Sequence, residues 1–254
     1  MKTHGGIPHG STLNLGGELQ IYYQWNEGIT TATETVIDEE GGERSSTVVN
    51  QWNDQGTNSN NASQSTTENK PLLATDNGVE FFNYEDDGSY ADAMTCTKFT
   101  VSAEAQFLSF IVCSLGSNAT VCYLSDSGGE VFQYTSANAH QLKAAGTTSN
   151  MTHSGKFTFP TDTKHLMIVH RPDTSAIKLY KNGLECDGHN DGGTTNNGGF
   201  DVVNIGSKNV ASNWFDGVIY DLGFIDGALA TNANRKLIED YLLTKHGLER
   251  LGND

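Results

Sequence analysis

The end of the chain constrains the fold most, because a β-type run passes there into one amphipathic helix. Residues Asn213-Trp214-Phe215-Asp216-Gly217-Val218-Ile219-Tyr220-Asp221-Leu222-Gly223-Phe224-Ile225-Asp226 alternate apolar with small or polar residues over much of their length. That is the period of a strand with one buried face. Beyond Gly227 the rule changes: Leu237, Ile238, Tyr241 and Leu242 recur at helical spacing. Thr231 or Asn232 can cap the start, and Gly247 stands where a helix stops. A helix over about 231–246 is predicted, and no helical period appears before residue 229. An all-β chain closed by a single helix is the plan this implies.

Composition agrees with that plan. The chain has 254 residues, 28 Gly and only 4 Pro, with 18% charged residues. Sandwiches of about 200–250 residues commonly form one unit. Asn, Thr and Ser fill the gaps between apolar runs, as expected of many short strands joined by turns. No Pro/Ser linker and no fixed-period repeat divides the chain, so residues 13–254 read as one domain. Residues 1–12 carry almost nothing apolar to bury and read as an extended N-terminal arm. Residues 53–70 are polar and read as a long exposed loop.

Further landmarks lie along the chain in a definite order. Leu19-Gln20-Ile21-Tyr22-Tyr23-Gln24-Trp25-Asn26-Glu27-Gly28-Ile29 reads as an opening strand and turn. Val49-Asn50-Gln51-Trp52-Asn53-Asp54-Gln55-Gly56 follows, then Asn61-Ala62-Ser63-Gln64 and Lys70-Pro71. His165–Arg171 and Ile177–Gly183 read as a hairpin. Its Asn182-Gly183 pair is a strong type I′ signal, because both residues tolerate positive φ. Val203-Asn204-Ile205-Gly206 is a short strand before the closing segment.

Taken together over about residues 19–248, these landmarks resemble the concanavalin A-like (laminin G-like) jelly-roll domains. The likeness is to the stand-alone kind found in tailed-phage virion proteins. It implies an all-β, two-sheet antiparallel jelly-roll sandwich with one C-terminal α-helix. It also puts Trp52 and Trp214 at structural positions in the core. Trp25, on an alternating strand, is expected there too.

Charge and chemistry narrow the function. The formal net charge is −16, so nucleic acid and anionic membrane are poor partners. The first apolar residue after Met1 is Ile7, so the N-terminus carries no secretory-signal pattern. No run approaches the ~18 apolar residues of a membrane span. Cys96, Cys113, Cys122 and Cys186 show no metal spacing and are expected as reduced structural thiols, although four cysteines allow three pairings. Within this fold family, glucanase-type members carry Glu-x-Asp-x-x-Glu on one strand. The nearest match here, Glu185-Cys186-Asp187-Gly188-His189-Asn190, ends in an amide that cannot protonate a leaving group. The chain therefore reads as non-enzymatic.

Two binding readings remain. Asp86, Asp87 and Asp92 surround a turn glycine and could supply oxygen ligands to Ca2+, which takes about six to eight. Tyr84 and Tyr90 beside them, with Asp191 and Asn196 in a Gly-rich loop, are candidates for glycan contact. Without a signal peptide, and with a lone domain and an arm, the expected role is a tailed-phage virion protein: capsid decoration, neck or tail appendage. It would be made in the host cytoplasm and would assemble with other virion proteins and with itself as a homo-oligomer. Ile7 and Pro8 would anchor the arm. The alternative is a lectin-like module for host-surface carbohydrate. No other cofactor is expected.

Overall fold

A computed structural model describes residues 19–251, apart from 25, 38–42, 82, 85–89, 118–119, 127, 137–138, 145–146, 153–157, 174–176, 186–187, 190–197 and 209–211. The chain opens with β1 (Leu19–Tyr23) and a long hairpin of β2 (Ile29–Ile37) and β3 (Glu43–Trp52). Short strands β4 (Ala62–Ser63), β5 (Leu72–Leu73) and β6 (Val79–Phe81) follow. A separate small hairpin pairs β7 (Asn83–Tyr84) with β8 (Tyr90–Ala91). The long strands β9 (Met94–Val101) and β10 (Phe107–Leu115) come next, then β11 (Val121–Ser125) and β12 (Val131–Ser136). After β13 (Ala139–Ala144) and β14 (Thr147–Thr152), the chain forms β15 (His165–Arg171), β16 (Lys178–Lys181) and β17 (Leu184–Glu185). It closes with β18 (Gly188–His189), β19 (Phe200–Ile205), β20 (Gly217–Asp226) and helix α1 (Asn232–His246).

Pairing resolves these strands into two antiparallel layers. The back layer runs β1–β20–β10–β15–β16–β17. The front layer runs β4–β9–β19–β11–β12–β13–β14–β18. Hydrogen bonding continues round one edge through β3, β5 and β6, which joins the layers. Between them lies an aromatic core in which Phe107 stacks on Phe224 at 5.6 Å and meets Phe132 and Phe200 edge-on. Trp52 is fully buried and its indole N–H donates to the Gln24 carbonyl (3.1 Å), so this member of the expected core is confirmed.

β20 departs from the one-faced strand that its alternation predicts. All but its two ends and Val218 are buried, because the back layer is covered twice. One face, with Ile111, Cys113, Met167, Val169, Leu222 and Phe224, meets the front layer. The other, with Leu108, Phe110, Val112, Leu166, Ile168 and Ile225, meets Ile238, Leu242 and Leu243 of α1. A strand covered on both sides is buried throughout, as all seven residues of β15 are, with the apolar run Leu166–Val169 at its centre. Gly223 faces Phe110 in register, and a Cβ there would stand 2.0 Å from the ring's Cζ, so the position takes glycine to let the ring lie flat.

Helix α1 forms where the sequence predicts. The Thr231 side chain accepts from Asn234 N, and Gly247 ends the helix at φ 64°. Each of its fully buried apolar side chains adds about 1.5–3 kcal/mol of burial. Charge fastens both ends to the sheet: Lys245 Nζ lies 2.9 Å from Asp221 Oδ1 and His246 contacts the same carboxylate. Arg235 lies over the Tyr180 ring at 4.0 Å, and Arg235 and Arg250 both hold the buried Glu239. The Asn182-Gly183 turn takes positive φ at both residues, 44° and 88°, as a type I′ turn demands. The segment after the helix crosses this turn, where Leu251 N donates to Asn182 O (2.8 Å).

The polar stretch 53–70 is exposed in much of its length, yet it is stitched to the opening strand. Asp54 Oδ1 accepts from Tyr22 N (2.7 Å) and Gly56 N (2.8 Å), while Oδ2 accepts from Asn60 N (3.0 Å). Asn60 is buried, donating to Gln20 O (2.8 Å) and accepting the Tyr23 hydroxyl on its carbonyl. A 3-10 turn at Thr67–Asn69 then leads to buried Lys70, which pairs with Glu34 (2.6 Å).

Candidate functional site

The front layer turns Val121, Tyr123, Phe132, Tyr134 and Leu142 inward, so alternation sends their neighbours to the outer face. Register then aligns residues far apart in sequence. One row across that face reads Ser63, Thr95, Asn204, Ser125, Val131, Lys143, Thr148. Its centre is closed over by polar contacts: Asn204 Nδ2 donates to Asp126 O (2.9 Å) and Ser125 Oγ to Ser207 O (2.7 Å).

The next row reads Cys122, Gln133, Gln141. Here Gly206 and residues 213–215 rim the sheet, since Cys122 N donates to Asn213 O (2.8 Å) and Phe215 N to Gly206 O (2.7 Å). Asn213 sits at φ 49°, a left-handed conformation that Asn tolerates, and its Nδ2 reaches Gln133 Oε1 (3.1 Å). Gln133 Nε2 in turn donates to Gln141 Oε1 (2.6 Å). Three side-chain amides thus form a directed row in which Gln133, only 5% exposed, is held at both ends. The chain fixes the outer two: Gln141 turns Nε2 away from Gln133, and Asn213 turns Oδ1 away.

Trp214 follows Asn213, the first amide of this row, in the chain. Its neighbour Phe215 points inward, fully buried and edge-on to Phe81 at 6.0 Å. Trp214 is half-buried, which corrects the core position that the sequence resemblance implies. Trp214 precedes β20, which begins at Gly217, and lies outside any strand, so strand alternation does not set its direction. Lys143 lies on the same outer face, two residues beyond Gln141. Across the sheet Asp201 takes Lys98 (2.8 Å) and Thr100 (2.5 Å), and its own N–H donates to Glu130 (3.0 Å).

The residues singled out from sequence fare unevenly. Tyr84 and Tyr90 are brought together as register partners of the β7–β8 hairpin. Ile7, Pro8, Asp86, Asp87, Asp191, Asn196 and Trp25 lie outside the described residues. Of the three calcium carboxylates only Asp92 is described, and it is 3% exposed and already engaged. Among the described residues no group of three or more His, Cys, Asp or Glu could hold a metal ion. Of the glucanase-like stretch, Glu185 pairs with Lys178 (3.0 Å) in a strand-edge contact.

A Cys-His contact does exist in the core. Cys113 Sγ lies 3.7 Å from His165 Nε2 and 3.3 Å from the Tyr134 hydroxyl. His165 Nδ1 donates to the Thr163 carbonyl (3.0 Å), so Nε2 accepts from Tyr134 (3.0 Å). Burial pushes the thiol up to about 12 and pulls the imidazole down to about 4. Both groups are neutral and sealed, which makes the trio a packed polar cluster with no thiolate to attack with. Arg171 is likewise sealed. Its guanidinium, drawn down to about 10 by burial, holds the carbonyls of Ala105 (2.6 Å), Gly198 (3.0 Å) and Ser102 (3.3 Å).

Comparison with known proteins bears on the frame of this site. No curated protein matches the sequence. Among solved structures, the binding domain of Paraclostridial Mosquitocidal Protein 1 is similar at TM-score 0.50 and 14% identity, over 89% of this chain and 53% of that one. The receptor binding domain of botulinum neurotoxin D gives 0.50 and 14%, over 90% and 54%. The botulinum neurotoxin serotype D ligand binding domain in complex with N-acetylneuraminic acid gives 0.51 and 11%, over 89% and 52%. The chain spans about half the length of these structures, and at such identities the likeness is one of fold. The family model described as the concanavalin A-like lectin/glucanases superfamily matches residues 91–232. Matched over more than half its length, and built as the two layers described above, the chain belongs to the concanavalin A-like lectin/glucanase superfamily.

Proposed function

We propose that this is a non-enzymatic recognition module whose ligand is an uncharged glycan bound beside Trp214. The observation that carries the reading is the fixed amide row Asn213–Gln133–Gln141 next to a half-buried indole. A sugar offers hydroxyls that both donate and accept, plus an apolar ring face. A site for it needs preset amides and one flat aromatic surface. Preorganisation matters here because freezing two free glutamines on binding would consume much of what their hydrogen bonds gain.

Charge selects within the class. One neighbour is a toxin domain complexed with N-acetylneuraminic acid, an anionic sugar. At net −16 this chain disfavours anions, so the proposed ligand is neutral. The setting we propose is the surface of a tailed-phage particle, as decoration, neck or tail appendage docked by the arm at Ile7 and Pro8. This rests on the sequence resemblance alone.

The test is a glycan array followed by titration of any neutral hit against Trp214→Ala and Gln141→Ala. Binding lost in both variants, with unchanged melting temperature, supports the reading. Full retention in both sinks it, as does an array without a neutral hit.

A further inference from the structure

His170 ties the back layer to the start of α1. On β15 it shares the helix-covered face with Leu166 and Ile168. Its ring is fully buried, and Nε2–H donates to the carbonyl of Ala230 at 2.8 Å, one residue ahead of the Thr231 cap. With the proton on Nε2, Nδ1 carries the lone pair, and among the described residues it has no hydrogen-bond partner. A second proton on the ring would therefore create a buried N–H that nothing accepts. The neighbouring charges oppose that proton as well. Arg235 of α1 and Lys178, the register partner of His170 on β16, are both cations, and the helix adds the positive end of its dipole. Glu239 already holds Arg235, and Glu185 holds Lys178 at 3.0 Å. Asp173 is the acid that favours the proton, while β10 sets only Leu108 opposite the ring. Burial first, then Arg235 and Lys178, keep the imidazole below its ordinary pKa against the pull of the Ala230 carbonyl.

We propose that His170 is an acid-sensitive latch: a proton on its ring frees the first turns of α1 from the back layer while the two layers stay closed on each other. The two ends of the helix are held differently. At the far end Lys245 and His246 share the Asp221 carboxylate, and a cationic His246 keeps that partner, so acid leaves this end fastened. At the near end a cationic His170 confronts Arg235, which lies over the Tyr180 ring at 4.0 Å. The helix then swings out from its N-terminal end and uncovers Leu108 and Ile168. The packing permits a partial opening, because the helix side of the back layer and the inter-layer core are separate apolar clusters. Buried His165 differs in this respect. It contacts Tyr134 and Phe159 of the inter-layer cluster, so its release requires the layers to part. The local opening is therefore the first one that acid reaches.

The test is hydrogen exchange read by mass spectrometry on the full chain, expressed as protection relative to the unfolded chain at the same pH. With an ordinary imidazole pKa of about 6.5 in the open form, helix opening should rise about tenfold between about pH 7.5 and about pH 5.5. Protection of residues 235–243 should fall by that factor, while β11, β12 and β13 of the front layer keep theirs. His170→Gln retains a donor for the Ala230 carbonyl but cannot titrate, and His170→Met suits the apolar surroundings. Neither variant should show the fall. The wild-type contrast between helix and front layer decides the matter even where a variant fails to fold. Unchanged helix protection in the wild type overturns the proposal. So does a fall shared equally by the front layer, which marks global unfolding, and so does a fall that persists in either His170 variant.

Discussion

Replacing Asp54 by alanine tests whether the 53–70 segment is a tied structure or a passive loop. The carboxylate accepts three backbone N–H groups, from Tyr22, Gly56 and Asn60, at 2.7, 2.8 and 3.0 Å. Hydrogen bonds to a charged acceptor contribute about 1.5–3 kcal/mol each. The loop is half open to water, so the released N–H groups recover part of this by hydration. A net loss of about 3–5 kcal/mol is expected. At about 2–4 °C per kcal/mol for a chain of this size, the melting temperature should fall by about 10 °C. Asp54→Asn should cost less, about 2 kcal/mol, since Oδ1 can keep Tyr22 and Gly56 while the new Nδ2 confronts the Asn60 N–H. Asn58→Ala, which removes an exposed amide from the Leu19 carbonyl, should cost under about 1 kcal/mol. Calorimetry on the three variants ranks them. Asp54→Ala melting within a degree of wild type would refute the reasoning.

Other expectations follow from the same geometry. Leu242→Ala should lose about 3–4 kcal/mol by opening a cavity between helix and sheet, while Leu237→Ala, at a side chain 55% exposed, should be near neutral; denaturant titration separates them. His165 is held neutral in the core with its pKa near 4, against about 6.5 when unfolded, so the unfolded chain binds more protons between those values. Stability should therefore be full above about pH 6.5 and decline towards about pH 4 by at most about 3 kcal/mol from this group, with His170 shifted in the same direction by burial. A flat melting profile across that window would contradict the burial argument. Cys113, fully buried with its thiol held near 12, should resist alkylation until the protein unfolds, which mass spectrometry of native and denatured samples reads directly.

How much was legible in sequence depended on the range of the physics involved. The helix and the Asn182-Gly183 turn were legible because caps, periodicity and positive φ act within a few residues. Trp52 was legible as core, whereas Trp214 was not, since the residues just ahead of β20 carry the strand's composition without its alternation. β20 looked one-faced because its sequence cannot say that a helix will cover its second side. The ties of Asp54 to Tyr22 and of Asn60 to Gln20 join residues tens of positions apart and leave no periodic trace. The amide row is harder still: Gln133 and Gln141 are eight apart and Asn213 is eighty from Gln133, so only strand register makes them neighbours. Three lone amides in a chain rich in Asn and Gln carry no signal of their own.

The helix that seals the back layer is also the last described element to be synthesised. At about 5–20 residues per second the ribosome completes every strand before α1 emerges from the exit tunnel. For that interval Leu108, Phe110, Val112, Leu166 and Ile168 lack the cover of Ile238, Leu242 and Leu243, which complete their cluster. Nascent chains should therefore recruit chaperones late, at translation of the helix, and rare codons placed just before residue 232 should lower soluble yield more than rare codons placed within the front layer.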